Sequence, residues 1–147
     1  MASYLKIPEM RQSLLALASG DTLEIAAGTG LNAPYYDGVE SLTLLDSSPG
    51  MLAKARSRVV SSAKIVVGDA QALPFSDASF DTVVSTFSLC VFDKPLVALK
   101  EMRRVVRPKG RVLLLENTRP ENRLAAAYVD ATSDFVAKNG GKGCKYD

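Results

Sequence analysis

The sequence predicts an α/β fold, a doubly wound parallel sheet with helices on both faces. Three observations predict it. Short apolar runs alternate with amphipathic stretches along the chain. The first apolar run passes through Leu23-Glu24-Ile25-Ala26-Ala27-Gly28-Thr29-Gly30 and closes on a turn of small residues. Acids and a small hydroxyl residue recur where the runs stop, at Glu24, Asp46, Asp69 and Ser85. Ligands of such sheets bind outside the carboxyl ends of the strands, so these positions point to one rim.

The elements follow in order. Residues 8–18 read as a helix with Leu14, Leu15 and Leu17 apolar, stopped by Gly20-Asp21. Residues 22–26 read as the first strand and 31–36 as a short helix with Pro34 near its start. Residues 42–45 form the second strand, ending at Asp46. Ser47-Ser48-Pro49 then starts a helix, with serine as cap and proline in the first turn, running to about residue 60. Residues 64–67 are the third strand, closed by Gly68-Asp69. Residues 71–79 are a loop with an apolar hook, Leu73-Pro74-Phe75, and residues 80–85 are the fourth strand. Residues 94–107 are amphipathic, with Leu96, Leu99, Met102 and Val106 at helical spacing. Pro108-Lys109-Gly110 is expected to stop that helix before a fifth strand at 111–116. A last helix is expected over 119–139, then a flexible glycine-rich end at 140–143. With no repeat and no linker, residues 1–147 read as a single domain.

Composition narrows the chemistry. The chain is 47% hydrophobic and 23% charged, ordinary for a soluble globular protein. Its net charge of +2 gives no strong nucleic-acid signal. Histidine is absent, which removes imidazole acid–base catalysis, Ser-His-Asp triads and histidine metal sites. Cys90 and Cys144 make neither a zinc framework nor a disulfide scaffold, and Cys90, within an apolar run, reads as a buried core thiol. No apolar run reaches the roughly 18 residues that span a bilayer. Residues 14–18 are too short for a signal-peptide core, and Glu9 argues against a transit peptide. A soluble protein of the cytoplasm or the mitochondrion is expected.

The strand ends suggest a nucleotide-like ligand. Small residues at 26–30 let backbone N–H groups approach it closely. Glu24 would repel a pyrophosphate and attract an amino group, or else caps the turn. Asp46 lies 18 residues after Gly28, where an acid can accept from both hydroxyls of a ribose, or simply favour a helix N-terminus. Asp69 can accept from an adenine amine while the Ala70 N–H donates to a ring nitrogen; the plain alternative is a turn aspartate. Met51 lies against an adenine face or packs in the core. Asp81, at the amino end of its strand, reads as structural. Tyr35, Tyr36 and Tyr128 are the remaining candidates for a base, and the first two read as packing residues.

Five segments together resemble the class I S-adenosylmethionine-dependent methyltransferases. They are Leu-Glu-Ile-Ala-Ala-Gly-Thr-Gly at 23–30, Leu-Asp-Ser-Ser-Pro-Gly-Met-Leu at 45–52, Gly-Asp-Ala-Gln-Ala-Leu-Pro-Phe at 68–75, Phe-Asp-Thr-Val-Val at 80–84 and Arg-Pro-Lys-Gly-Arg-Val-Leu-Leu-Leu-Glu at 107–116. Within that superfamily the chain is similar to the ubiquinone, menaquinone and phospholipid methyltransferases and to mitochondrial methyltransferase-like proteins. The resemblance implies a Rossmann-like fold and S-adenosyl-L-methionine as cofactor. Glu24, Ala26, Gly28 and Gly30 would surround its methionine part. Asp46, Ser47 and Met51 would contact ribose and adenine, Asp69 and Ala70 the adenine edge, and Ser85 and Thr86 the sulfonium and methyl group.

Two departures matter. Ala26 stands where many members have glycine. The family sheet also adds two strands after the fifth, and the chain ends at Asp147 before any such pair. Either the chain is partial at its C-terminus or the protein has lost the last part of the sheet. In both cases the fifth strand is expected to be an exposed edge, which could make the chain poorly soluble alone or need a protein partner to cover it. Two functions follow. One is methyl transfer to a small acceptor; the apolar Phe87, Leu89, Val91 and Phe92 suit a quinone- or lipid-like molecule, and equally suit a core. The other is a methyltransferase-like assembly or scaffold protein with little chemistry. An NAD-dependent dehydrogenase is disfavoured, because the turn does not read Gly-x-Gly-x-x-Gly and Glu24 would face the pyrophosphate.

Overall fold

The structure is a computed structural model that describes residues 6–117. Helix α1 (Ile7–Leu15) leads into β1 (Gly20–Ile25), a 3-10 turn (Ala33–Tyr35) and β2 (Val39–Asp46). Helix α2 (Pro49–Arg56), β3 (Lys64–Val67) and β4 (Phe80–Thr86) follow, then a second 3-10 turn (Leu89–Val91), α3 (Pro95–Val105) and β5 (Val106–Leu115). The strands form one sheet of order β3-β2-β1-β4-β5, and every pairing between these strands is parallel.

Alternation along the strands puts a separate core on each face. Leu23, Ile25, Leu45 and Val83 face α3, where Ala98, Met102 and Val105 are buried. Leu42 and Leu44 face α2 through Leu52 and Ala55, while Val84 and Leu113 meet Leu15 of α1. Helices therefore cover both faces, as expected. The apolar hook reaches the α3 core through Leu73 and Phe75, and the Phe75 ring meets Phe80 edge-on at 5.0 Å. Arg104 holds the hook by donating to the carbonyls of Phe75 and Leu73 at 2.8 and 3.1 Å.

Ser48 caps α2 as expected, its hydroxyl accepting from the Met51 N–H at 3.3 Å, with Pro49 opening the helix. Helix α1 ends at Leu15 rather than at 18, β1 starts at Gly20 rather than at 22 and so takes in Gly20-Asp21, and β2 starts at Val39 rather than at 42. Three further boundaries also differ from the sequence reading. Only Ala33–Tyr35 winds between β1 and β2, as a single 3-10 turn; Pro34 has no N–H to carry a longer helix. Helix α2 ends at Arg56 rather than near residue 60, where Arg58 and Val59 both donate to the Ala55 carbonyl and the β-branched Val59 and Val60 follow. Helix α3 ends at Val105, and Pro108-Lys109-Gly110 interrupts β5 instead of stopping the helix. Val106 pairs with Phe80 and Arg111 with Thr82, so residues 107–110 loop out of the ladder. Gly110 is required there, because a Cβ would lie 2.5 Å from the Asp81 carbonyl oxygen. Cys90 is half-buried on the second 3-10 turn, not in the core, and is not a free thiol. Tyr128, Cys144, the helix over 119–139, the glycine-rich end and any strand after β5 lie outside the described residues.

Candidate functional site

The strand order reverses between β1 and β4, and in parallel sheets a crevice opens at that place beyond the carboxyl ends. A cavity of about 370 Å³ lies there. Ala26 after β1, Asp46 and Ser47 at the end of β2, and Gly68, Asp69, Ala70 and Gln71 after β3 line one side. Val91, Phe92 and Asp93, between β4 and α3, line the other. Asp46 and Asp69 thus border a common cleft, with apolar wall from Leu45, Ala70, Val91 and Phe92.

The glycine turn is held to this rim by Asp46. Its Oδ2 accepts from the Gly28 N–H at 2.8 Å and its Oδ1 from the Ser48 N–H at 2.9 Å. Gly28 has φ +56, and a Cβ there would meet nothing within 4 Å. Open space above a left-handed glycine is where another molecule can approach the backbone. Gly30, at φ +78, has a packing reason: a Cβ would come within 3.1 Å of the Ala55 Cβ on α2. Asp69 uses Oδ1 for the Gln71 N–H at 2.8 Å. Gln71 in turn accepts from the Lys94 N–H at 2.6 Å and ties the loop after β3 to the start of α3.

Of the eleven site residues expected, Ala26, Asp46, Ser47, Asp69 and Ala70 line the cavity. Gly28 and Gly30 are not among the lining residues, although the Gly28 N–H donates to Asp46, which is. Met51 sits one turn into α2 with 44% of its surface exposed, so it is not a core residue. Glu24, Ser85 and Thr86 do not line the cavity: Glu24 and Thr86 lie on the side of β1 and β4 that faces α1, and Ser85 lies on the opposite side, the one that carries Ile25 and Val83. Glu24 is buried, with Oε1 accepting from Asn32 Nδ2 and Oε2 from the Tyr36 hydroxyl, each at 2.8 Å. Burial pushes its carboxyl up to about 7, against the pull of those hydrogen bonds and of the Arg11 charge. Tyr36 is raised well above its ordinary value, chiefly by burial and then by Glu24. Thr86 Oγ1 accepts from Asn32 Nδ2 at 3.1 Å and from Arg11 at 3.2 Å, and Arg11 also donates to Asn32 Oδ1. Ser85 is fully buried against the Ser88 hydroxyl.

Gln71, Asp93 and Arg11 were not singled out from the sequence. Gln71 lies inside the 68–75 segment, next to Asp69 and Ala70, and that adjacency was its only signal. Asp93 follows the apolar run 87–92 and comes to the cavity only because the run folds back as a 3-10 turn. Arg11 gives no sequence signal, since its partners are Asn32 and Thr86, 21 and 75 residues away. Among the described residues no group of His, Cys, Asp and Glu has the arrangement of a metal site. No helix among them is long and apolar enough to cross a membrane.

Residues 23–114 match a family described as a methyltransferase domain. A demethylmenaquinone methyltransferase of Renibacterium salmoninarum is 42% identical over 99 residues, covering 67% of this chain and 41% of the relative. A phosphatidylethanolamine N-methyltransferase of Cereibacter sphaeroides is 38% identical over 121 residues, covering 79% of this chain and 60% of the relative. The chain thus spans less than two thirds of the length of either. Among solved structures, a SAM-dependent methyltransferase of Thermotoga maritima superposes with a TM-score of 0.74 at 25% identity, over 92% of this chain and 61% of that one.

Proposed function

This chain belongs to the methyltransferase-domain family, and from that premise we propose that it binds S-adenosylmethionine in the strand-end cavity and directs methyl transfer to a small apolar acceptor. The observation that carries the proposal is the meeting of Asp46 and Asp69 on one cavity beside the glycine turn. The residues fit a nucleoside. Each Asp46 oxygen that accepts a backbone N–H has a second lone pair for a ribose hydroxyl. Asp69 is exposed, and its Oδ2 carries none of the hydrogen bonds that occupy Oδ1. Open space over Gly28 leaves room for a ligand against the backbone.

When bound, the cofactor supplies a methyl group on a sulfonium, activated for in-line displacement. The chain supplies position. Asp46 and Asp69 fix the nucleoside by accepting from it, and Val91 and Phe92 present an apolar flank opposite them. That flank, with relatives named for demethylmenaquinone and phosphatidylethanolamine, supports a quinone- or lipid-like acceptor. An acceptor that arrives ionised needs no base. Glu24 already has both oxygens engaged by Asn32 and Tyr36. A ligand amino group would reach it by exchanging with one of them.

Calorimetry of the whole chain with S-adenosylmethionine and S-adenosylhomocysteine tests the reading. Saturable binding of both is expected. A folded protein that binds neither, or that binds NAD more tightly, overturns it. A scaffold role is the second reading. It draws on β5, whose outer edge pairs with no strand among the described residues. It predicts a stable complex with a partner and no affinity for either ligand.

A further inference from the structure

The cavity wall of Val91, Phe92 and Asp93 is not part of the sheet. It hangs from the segment that joins β4 to α3, and that segment starts under strain. Phe87 has φ +54, a left-handed conformation that is costly for a residue with a Cβ. Its N–H donates to the Leu115 carbonyl at 2.7 Å, and the Arg11 guanidinium lies 5.1 Å from the centre of its ring. The next two N–H groups, of Ser88 and Leu89, open the 3-10 turn Leu89–Val91. First N–H groups of such a turn have no partner inside it. Ser88 offers no side-chain cap, its hydroxyl being turned to Ser85.

Glu116, the residue after β5, fills that role from another part of the chain. Its Oε1 accepts from the Ser88 N–H at 3.2 Å and from the Leu89 N–H at 3.3 Å. Glu116 is half-buried and does not line the cavity. Desolvation raises its carboxyl above the ordinary carboxylate value, and the same two N–H groups pull it down.

We propose that Glu116 is a positioning residue of the cavity: by accepting from the Ser88 and Leu89 N–H groups it holds the Val91–Phe92–Asp93 wall in place and so sets affinity for the ligand. The inference rests on the cofactor reading given above only for its consequence in binding. The clamp itself is a property of the ligand-free protein. Glu116 touches no reacting atom in this role and transfers no proton.

Two measurements on the whole chain separate these parts. Amide hydrogen exchange of the ligand-free protein reads the clamp, and calorimetry with S-adenosylhomocysteine reads its effect. In Glu116→Ala, exchange at Ser88, Leu89 and residues 91–93 is expected to accelerate while β1 and β4 stay protected. Affinity for S-adenosylhomocysteine is expected to fall roughly tenfold, the scale of a hydrogen bond to a charged group. Glu116→Gln keeps a carbonyl acceptor and should restore most of both. Should the alanine variant fail to fold, Glu116→Asp withdraws the acceptor by one methylene and gives the same contrast. Unchanged exchange at Ser88 and Leu89 overturns the clamp. Faster exchange with unchanged affinity overturns the positioning role. A wild-type protein that binds no S-adenosylhomocysteine removes the cofactor reading, and exchange alone then decides the clamp.

Discussion

Asp46 accepts the Gly28 N–H at 2.8 Å and thereby fastens the end of β2 to the turn that follows β1. Its second oxygen accepts the Ser48 N–H at 2.9 Å, at the start of α2. One carboxylate therefore shapes the turn, caps the helix side and borders the cavity. Asp46→Ala removes all three contributions. Affinity for S-adenosylhomocysteine is expected to weaken by roughly 1–3 kcal/mol, the scale of charge-assisted hydrogen bonds. Asp46→Asn keeps one acceptor oxygen and should fall between. Calorimetry on variants shown to be folded checks this, and an alanine variant of unchanged affinity would contradict the ribose role.

Glu24 gives the fold a pH dependence of its own. Burial raises its carboxyl from an ordinary 4.5 to about 7. The folded state then binds this proton more tightly than the unfolded chain. The corresponding stabilisation is fully present below the ordinary value and is lost as pH rises through about 7. Glu24→Gln abolishes that titration. Between about pH 5 and about pH 8 the stability of wild type relative to Glu24→Gln should fall by on the order of 1–3 kcal/mol. Urea unfolding of both proteins at the two pH values measures it. A difference that does not move with pH would mean that Glu24 stays ionised in the fold.

Ala26 sits at the mouth of the cavity with φ +54. The left-handed region costs a residue with a Cβ about 1–2 kcal/mol. Glycine there avoids the clash but frees the unfolded chain, which offsets about 0.4–1 kcal/mol. Ala26→Gly is therefore expected to stabilise the protein by roughly 0.5 kcal/mol. A denaturant midpoint that drops in this variant would show that the Ala26 methyl, which packs against the α3 core, matters more than its backbone strain.

Much of the architecture was legible because periodicity and local caps report it. Lys64–Val67 was read with its observed bounds, from a β-branched run closed by glycine. Ser48 and Pro49 announced α2 by capping chemistry alone. The α3–β5 junction was misread because Val106 continues the apolar spacing of α3. Its pairing with Phe80, a contact 26 residues away, decides that it is strand. At the site, Asp46 and Asp69 were legible because a parallel sheet sends every strand end to one rim. The surroundings of Glu24 were not. Its partners Asn32 and Tyr36 reach it through a 3-10 turn, and no periodic pattern says which polar side chain a buried acid will capture.

The opposite rim provides a control for every variant at the site. Asp81 Oδ2 accepts from Arg107 at 2.7 Å and from the Asp21 N–H at 2.8 Å, and Arg107 also reaches Asp21 at 3.3 Å. This joins β4, β5 and β1 at their amino ends, as the structural reading of Asp81 expected. The Arg107 guanidinium first, and then the Asp21 N–H, hold the Asp81 carboxyl below its ordinary value of 3.8. Its contribution is thus present above that value and is lost as pH falls through the lower folded one. Asp81→Asn should lower the thermal midpoint near neutral pH, and the deficit should shrink in acid as wild type loses the same charge. Affinity for S-adenosylhomocysteine should not change, because Asp81 lines a different cavity from Asp46 and Asp69. If Asp81→Asn weakens binding as much as Asp46→Ala does, both act through global stability, and the carboxylates of the upper rim have no special claim on the ligand.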